Sequence, residues 1–166
     1  ACPPGCNVLS MAASYTLDFS QIGLQDVPRV GGKHASLGQL FRELKPQGVG
    51  VLDGFATTAD AYWRLLAEQD LRARLEKILS GFNPENLEDL AQRGHAARTA
   101  VLDTPLPNGL GDAVLAAYRS LVARLGREPE LAVRSSATAE DLPEASFAGA
   151  AESFLNIRGP EGLLRA

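Results

Sequence analysis

Two adjacent glycines, Gly31 and Gly32, stand directly before Lys33 and a run whose apolar residues recur with helical spacing: Ala35, Leu37, Leu40, Phe41 and Leu44. A glycine pair at a helix start constrains the chain strongly. It permits backbone conformations closed to other residues, and it leaves the first N–H groups and the positive end of the helix dipole facing an anion. Pro46-Gln47-Gly48 ends the pattern, so the spacing predicts a helix running to residue 45. Lys33 adds a point charge at its start. The segment is not a Walker A loop, which needs glycine where Val27 stands and a hydroxyl where His34 stands. Taken alone, it reads either as a phosphate-binding turn or as a plain glycine turn with a solvated lysine.

The rest of the chain breaks into short elements. Residues 15–19 alternate and carry Tyr15 and Phe19, as a strand does, and residues 21–29 read as a loop. Residues 49–55 form a glycine-broken apolar stretch, predicted as a strand ending at Gly54. Thr57-Thr58-Ala59-Asp60 offers a hydroxyl cap and an early acid to a helix through Leu65 and Leu66, with Tyr62 and Trp63 at core spacing. Leu71, Leu75, Ile78 and Leu79 outline a second short helix. Asn83-Pro84-Glu85 reads as the start of another, with Asn83 as cap and Leu87, Leu90, Ala91, Ala97 and Val101 inward. A helix over residues 110–125 ends at Gly126; strands are predicted over residues 131–136, buried, and 154–157. The sum is an α+β fold with about four helices over a small mixed sheet.

Composition sets outer limits. With 166 residues, 45% of them hydrophobic, the chain has material for one domain or a piece of a larger one, and it is not disordered by composition. No apolar run approaches the ~20 residues of a bilayer span, and the N-terminus has no secretory pattern. The net charge of −4 speaks against a general nucleic-acid or anionic-membrane binder while leaving room for a local anion site. Cys2 and Cys6 sit in a Pro/Gly-rich tip without the further ligands zinc requires, so residues 1–14 read as a flexible tail, no metal site is assigned, and Met11 is a candidate start. Residues 159–166 look like a helix that has barely begun, an expectation that the natural sequence continues.

Two further motifs carry chemistry. In Val133-Arg134-Ser135-Ser136-Ala137-Thr138-Ala139-Glu140-Asp141 a strand delivers a guanidinium beside hydroxyls, which suits bidentate contact with phosphate; the plain alternative is a salt-bridged surface loop. Residues 145–153 are mostly small and allow close backbone approach, either to a ligand or under a hairpin. Gly48-Val49-Gly50 and Gly109-Leu110-Gly111 fail as dinucleotide fingerprints because Asp53 and Val114 stand at the third glycine. His95 reads as a packed or solvated helix residue. His34, beside Lys33, has the better case for lying near a ligand.

The blocks Arg29-Val30-Gly31-Gly32-Lys33-His34-Ala35-Ser36-Leu37-Gly38, Gly54-Phe55-Ala56-Thr57-Thr58 and residues 133–149 occur in that order. Together they resemble the N-terminal, ATP-grasp-like nucleotide-binding domain of the phosphoenolpyruvate synthase (pyruvate, water dikinase) family, over residues 15–166. The resemblance implies a cytoplasmic, gluconeogenic phosphotransferase. It would split ATP into AMP, phosphate and an enzyme-bound phosphoryl group, which a histidine domain carries to pyruvate. It implies that Lys33 and Arg134 contact phosphate, that Gly149 and Ser153 line the nucleotide, and that Mg²⁺ bridges the phosphates. Pyruvate would be met through other domains of the same polypeptide, which this chain lacks; no nucleic acid or membrane is implied, and the isolated chain is expected to be inactive. Ala150 and Ala151 stand where the family usually has glutamines, and His34 where it usually has asparagine. A rifampin phosphotransferase or related dikinase, or a stand-alone nucleotide-binding module without catalysis, are the alternatives.

Overall fold

The computed structural model describes residues 14–83, 85–138 and 152–166. Cys2, Cys6 and Met11, the Glu140-Asp141 pair, Gly149 and most of the small-residue run lie outside the described residues. The fold is α+β, as expected, but its inventory differs. Among the described residues there are six α-helices and two separate two-stranded antiparallel sheets, in place of about four helices and one mixed sheet. Each strand pairs only with its own partner, so no described strand joins the two ladders. The chain divides into two compact units, one drawn from Ala1–Asp60 and Ser136–Ser146, the other from Ala61–Ser135 and Phe147–Ala166.

In the first unit, β1 (Thr16–Asp18) pairs antiparallel with β2 (Phe55–Thr57) in the register Thr16↔Thr57, Leu17↔Ala56, Asp18↔Phe55. The strand predicted to end at Gly54 instead begins at Phe55. Gly54 is held outside the ladder: its N–H donates to the Asp53 carboxylate at 2.8 Å and its carbonyl accepts from Phe19 N at 3.0 Å. Between the strands lies α1 (Val27–Leu44). The stretch read as a loop holds short 3-10 turns over Phe19–Gln21 and Leu24–Asp26 that lead into this helix. The buried Asp26 organises that entry, accepting from Gly23 N at 3.0 Å, Gln25 Nε2 at 3.1 Å and Arg29 Nη1 at 3.3 Å.

α1 starts earlier than the spacing predicts because Pro28 begins a first turn before the glycines; Gly31, at φ 78° and ψ 163°, then breaks the helix, which resumes at Gly32. Its buried face is Val30, Ala35, Gly38 and Phe41, which join Phe19, Ile22 and Ala56 in one core, while Leu40 points outward. Gly38 lies in that face at close approach: a Cβ there would meet Ile22 Cβ at 2.6 Å and the Ile22 carbonyl at 2.8 Å. Thr58 is buried before α2 and donates its hydroxyl to the Ser14 carbonyl at 2.9 Å, bracing the start of β1.

The second unit is largely helical: α2 (Ala59–Leu66), whose first two residues belong to the first unit, α3 (Leu71–Leu79), α4 (Leu87–Leu102), α5 (Leu110–Leu125) and α6 (Gly159–Arg165). Leu66, Leu71 and Ala100 form a small core with Leu65, Leu75 and Ile78 against it. Tyr62 and Trp63, read as packing, are exposed and meet edge-to-face at 5.3 Å. In α4 the inward residue is Ala100; Leu87, Leu90 and Val101 are exposed. The cap also shifts. Asn86, not Asn83, is the N-cap, its side chain accepting from Glu88 N at 3.0 Å and Asp89 N at 3.1 Å, while Asn83 closes a local turn by accepting from Glu85 N. Arg93 ties α4 to the end of α3, bonding the Asp89 carboxylate at 2.7 Å and the carbonyls of Ile78 at 2.6 Å and Ser80 at 2.8 Å. The Arg93 side chain and the Asn83 N–H together hold the Asp89 carboxyl below its ordinary value. In α5, Leu110, Tyr118 and Leu121 are buried, while Val114, Leu115 and Val122 are half-buried. Tyr118 donates to Glu128 at 2.8 Å, and burial, then that carboxylate, push its phenol up.

Candidate functional site

β3 (Leu131–Arg134) pairs antiparallel with β4 (Ser153–Ile157): Leu131↔Ile157, Val133↔Phe154, Arg134↔Ser153. The register slips by one between Leu131 and Val133, and Asn156, at φ 59°, supplies the left-handed residue of that irregularity. The strand read as buried is half-buried: Leu131 and Val133 are partly covered and Ala132 and Arg134 exposed. Arg134 and Ser153, both implied as site residues by the resemblance, are therefore direct cross-strand partners. Opposed residues of an antiparallel pair project from the same face, with Cβ atoms ~5 Å apart, so a guanidinium and a hydroxyl share one exposed surface at the end of this ladder.

The glycine turn that carries Lys33 makes its own long-range contact. Gly32 N donates to the Ala137 carbonyl at 3.3 Å, and His34 N donates to Ser136 Oγ at 3.4 Å, across 102 residues of sequence. Gly31 is indispensable to that arrangement. Its φ of 78° is strained for any side chain, and a Cβ would lie 2.3 Å from Ser136 Oγ and 2.8 Å from the Ala137 carbonyl oxygen. Two of the amides expected to face an anion are thus satisfied by the protein itself. What the turn presents is the half-buried Lys33 side chain between those two donors. His34 is half-buried, with its ring 6.2 Å from that of Phe19. His95 is exposed on α4.

The region between Gly31 and Ala137 escaped sequence reasoning as a contact. In sequence Ser136 reads as a hydroxyl near Arg134, and the glycine pair marks close approach without naming what approaches.

The family described as pyruvate phosphate dikinase, AMP/ATP-binding domain, matches residues 27–166. This chain belongs to that family. The phosphoenolpyruvate synthase of Neisseria meningitidis serogroup B is 46% identical over 157 residues, covering 94% of this chain and 20% of the relative. Those of Escherichia coli K12 and Aquifex aeolicus are each 43% identical, over 93% and 92% of this chain and 19% and 18% of theirs. The chain spans about a fifth of the length of these curated relatives. The match includes both the glycine turn and the β3–β4 pair.

Magnesium is the ion the resemblance implies. It takes carboxylate, phosphate and water oxygens. Among the described residues there is no group of three or more His, Cys, Asp or Glu that could hold a metal, and Ser135 and Ser136, which follow Arg134, carry hydroxyls. Nor is any described helix long and apolar enough to cross a membrane.

Proposed function

We propose that this chain binds ATP as the N-terminal part of a cytoplasmic phosphoenolpyruvate synthase. That enzyme converts pyruvate, ATP and water to phosphoenolpyruvate, AMP and phosphate through a phospho-histidine. Residues 15–166 supply nucleotide binding; the histidine and the pyruvate site belong to other domains, so the isolated chain does not turn over. Lys33 places an ammonium on the phosphates, Arg134 grips them in bidentate fashion, and Ser153 and Gly149 line the nucleotide. Phosphoryl transfer asks mainly for positioning and for charge placed where negative charge accumulates, and a lysine and an arginine on braced backbone meet that demand. Magnesium bound with the nucleotide would neutralise part of the phosphate charge.

The observation that carries the reading is that, within the first unit, the turn bearing Lys33 is hydrogen-bonded to Ser136 and Ala137 of the 133–149 block. The cross-strand pairing of Arg134 with Ser153 supports it. The test is to supply the polypeptide carrying this sequence with pyruvate and Mg-ATP. AMP, phosphate and phosphoenolpyruvate formed in equal amounts, through an acid-labile phospho-enzyme, are expected. Transfer to rifampin in place of pyruvate would overturn the acceptor, and ADP as the nucleotide product would overturn the reaction class.

A further inference from the structure

We infer that Ser136 is a positioning residue that caps the Lys33 helix from a distant part of the chain, an inference that rests on the ATP site proposed above. The helix resumes at Gly32 after the break at Gly31, so Gly31 stands at its cap position and Gly32, Lys33 and His34 are its first three residues. A helix start leaves its first N–H groups without intrahelical acceptors, and the cap residue's side-chain oxygen normally accepts from the third of them. Glycine has no such oxygen.

Ser136 supplies it. Its Oγ accepts from His34 N at 3.4 Å, the bond a capping serine would make. It also lies 2.3 Å from where a Gly31 Cβ would be, so it occupies the space of the missing side chain. The Ala137 carbonyl takes the Gly32 N–H at 3.3 Å. The two bonds bracket Lys33 on either side. This turn is accordingly not an amide cradle for phosphate: its N–H groups at 32 and 34 hold the Ser136-Ala137 segment, and phosphate contact falls to side chains. Removing the Ser136 hydroxyl would leave α1 formed by its core contacts while loosening the backbone that aims Lys33.

The test pairs amide hydrogen exchange with ATP titration on the chain, Ser136→Ala and Ser136→Thr. Loss of a cap predicts exchange at His34 faster, and ATP binding weaker, by about three- to thirtyfold in Ser136→Ala. Ser136→Thr, which keeps the hydroxyl, should restore both to within about twofold of the parent. His34 exchange unchanged in Ser136→Ala, or equal loss in Ser136→Thr, overturns the inference. If Ser136→Ala does not fold, the unmutated chain decides: a His34 amide exchanging as fast as an open one contradicts the cap. Absence of ATP binding in the unmutated chain would overturn the proposed function, while the exchange arm still judges the cap.

Discussion

Arg134 and Ser153 face one another as the terminal paired residues of the β3–β4 ladder, on a surface open to solvent. A carboxylate at 153 would therefore meet the guanidinium across the strands. Such a pair contributes ~0.2–1 kcal/mol, so Ser153→Glu should leave the urea midpoint unchanged or slightly raised. It should at the same time reduce ATP affinity tenfold or more, because Arg134 is then engaged by the protein. Parallel loss of stability and affinity would show that the substitution acts through the fold.

Gly31→Ala tests the close approach to Ser136. The alanine methyl would have to occupy space 2.3 Å from Oγ at a backbone angle of φ 78°. Backbone at φ 78° and ψ 163° costs a side chain ~1–3 kcal/mol and overpacking ~1–3 kcal/mol. Chemical denaturation should show a loss in the sum of those ranges, and a loss under ~0.5 kcal/mol would contradict the packing described.

The cap of α4 is a sharper case, because sequence and structure name different residues. Asn86→Ala removes a side chain that accepts from two helix amides and should cost ~1 kcal/mol. Asn83→Ala, which opens only an exposed turn, should cost less than half as much. The reverse order would restore Asn83 as the cap.

Acid should weaken the second unit through Asp89. The Arg93 side chain, first, and the Asn83 N–H lower its pKa from 3.8 in the folded chain. A carboxylate with a depressed folded value contributes stability that is present above the unfolded pKa and lost as pH falls through the folded one. The stability of the parent should therefore fall below pH 3.8 more steeply than that of Asp89→Asn, which lacks this titration. Equal slopes in the two proteins would remove Asp89 from the account.

Where elements had strong local signals, the sequence was a good guide. Helix α5 spans the predicted residues 110–125, between Gly109 and Gly126, both left-handed. The misses have physical causes. Leu40 fits an apolar stripe but is exposed, because the buried face runs through Ala35, Gly38 and Phe41, and the close approach of Gly38 to Ile22 is invisible to a count of apolar positions. Asn83 and Asn86 are both competent caps in sequence; Asp89 and Arg93 decide between them by bonds to Asn83 N and the end of α3. At the candidate site, Lys33 and Arg134 were legible as cations at element ends, whereas Ser153 was named only through the family resemblance. That Arg134 and Ser153 are partners, and that Ser136 reaches the Lys33 turn, depended on tertiary pairing over long sequence separation, which no local pattern encodes.

Binding of ATP compared with adenosine, by calorimetry on this chain and on Lys33→Ala and Arg134→Ala, tests the central claim most directly. Hydrogen bonds to charged groups are each worth ~1.5–3 kcal/mol, so each variant should lose about tenfold or more in ATP affinity, with adenosine binding and the circular dichroism spectrum unchanged. ATP bound equally well by the parent and both variants would show that these two cations do not hold the phosphates.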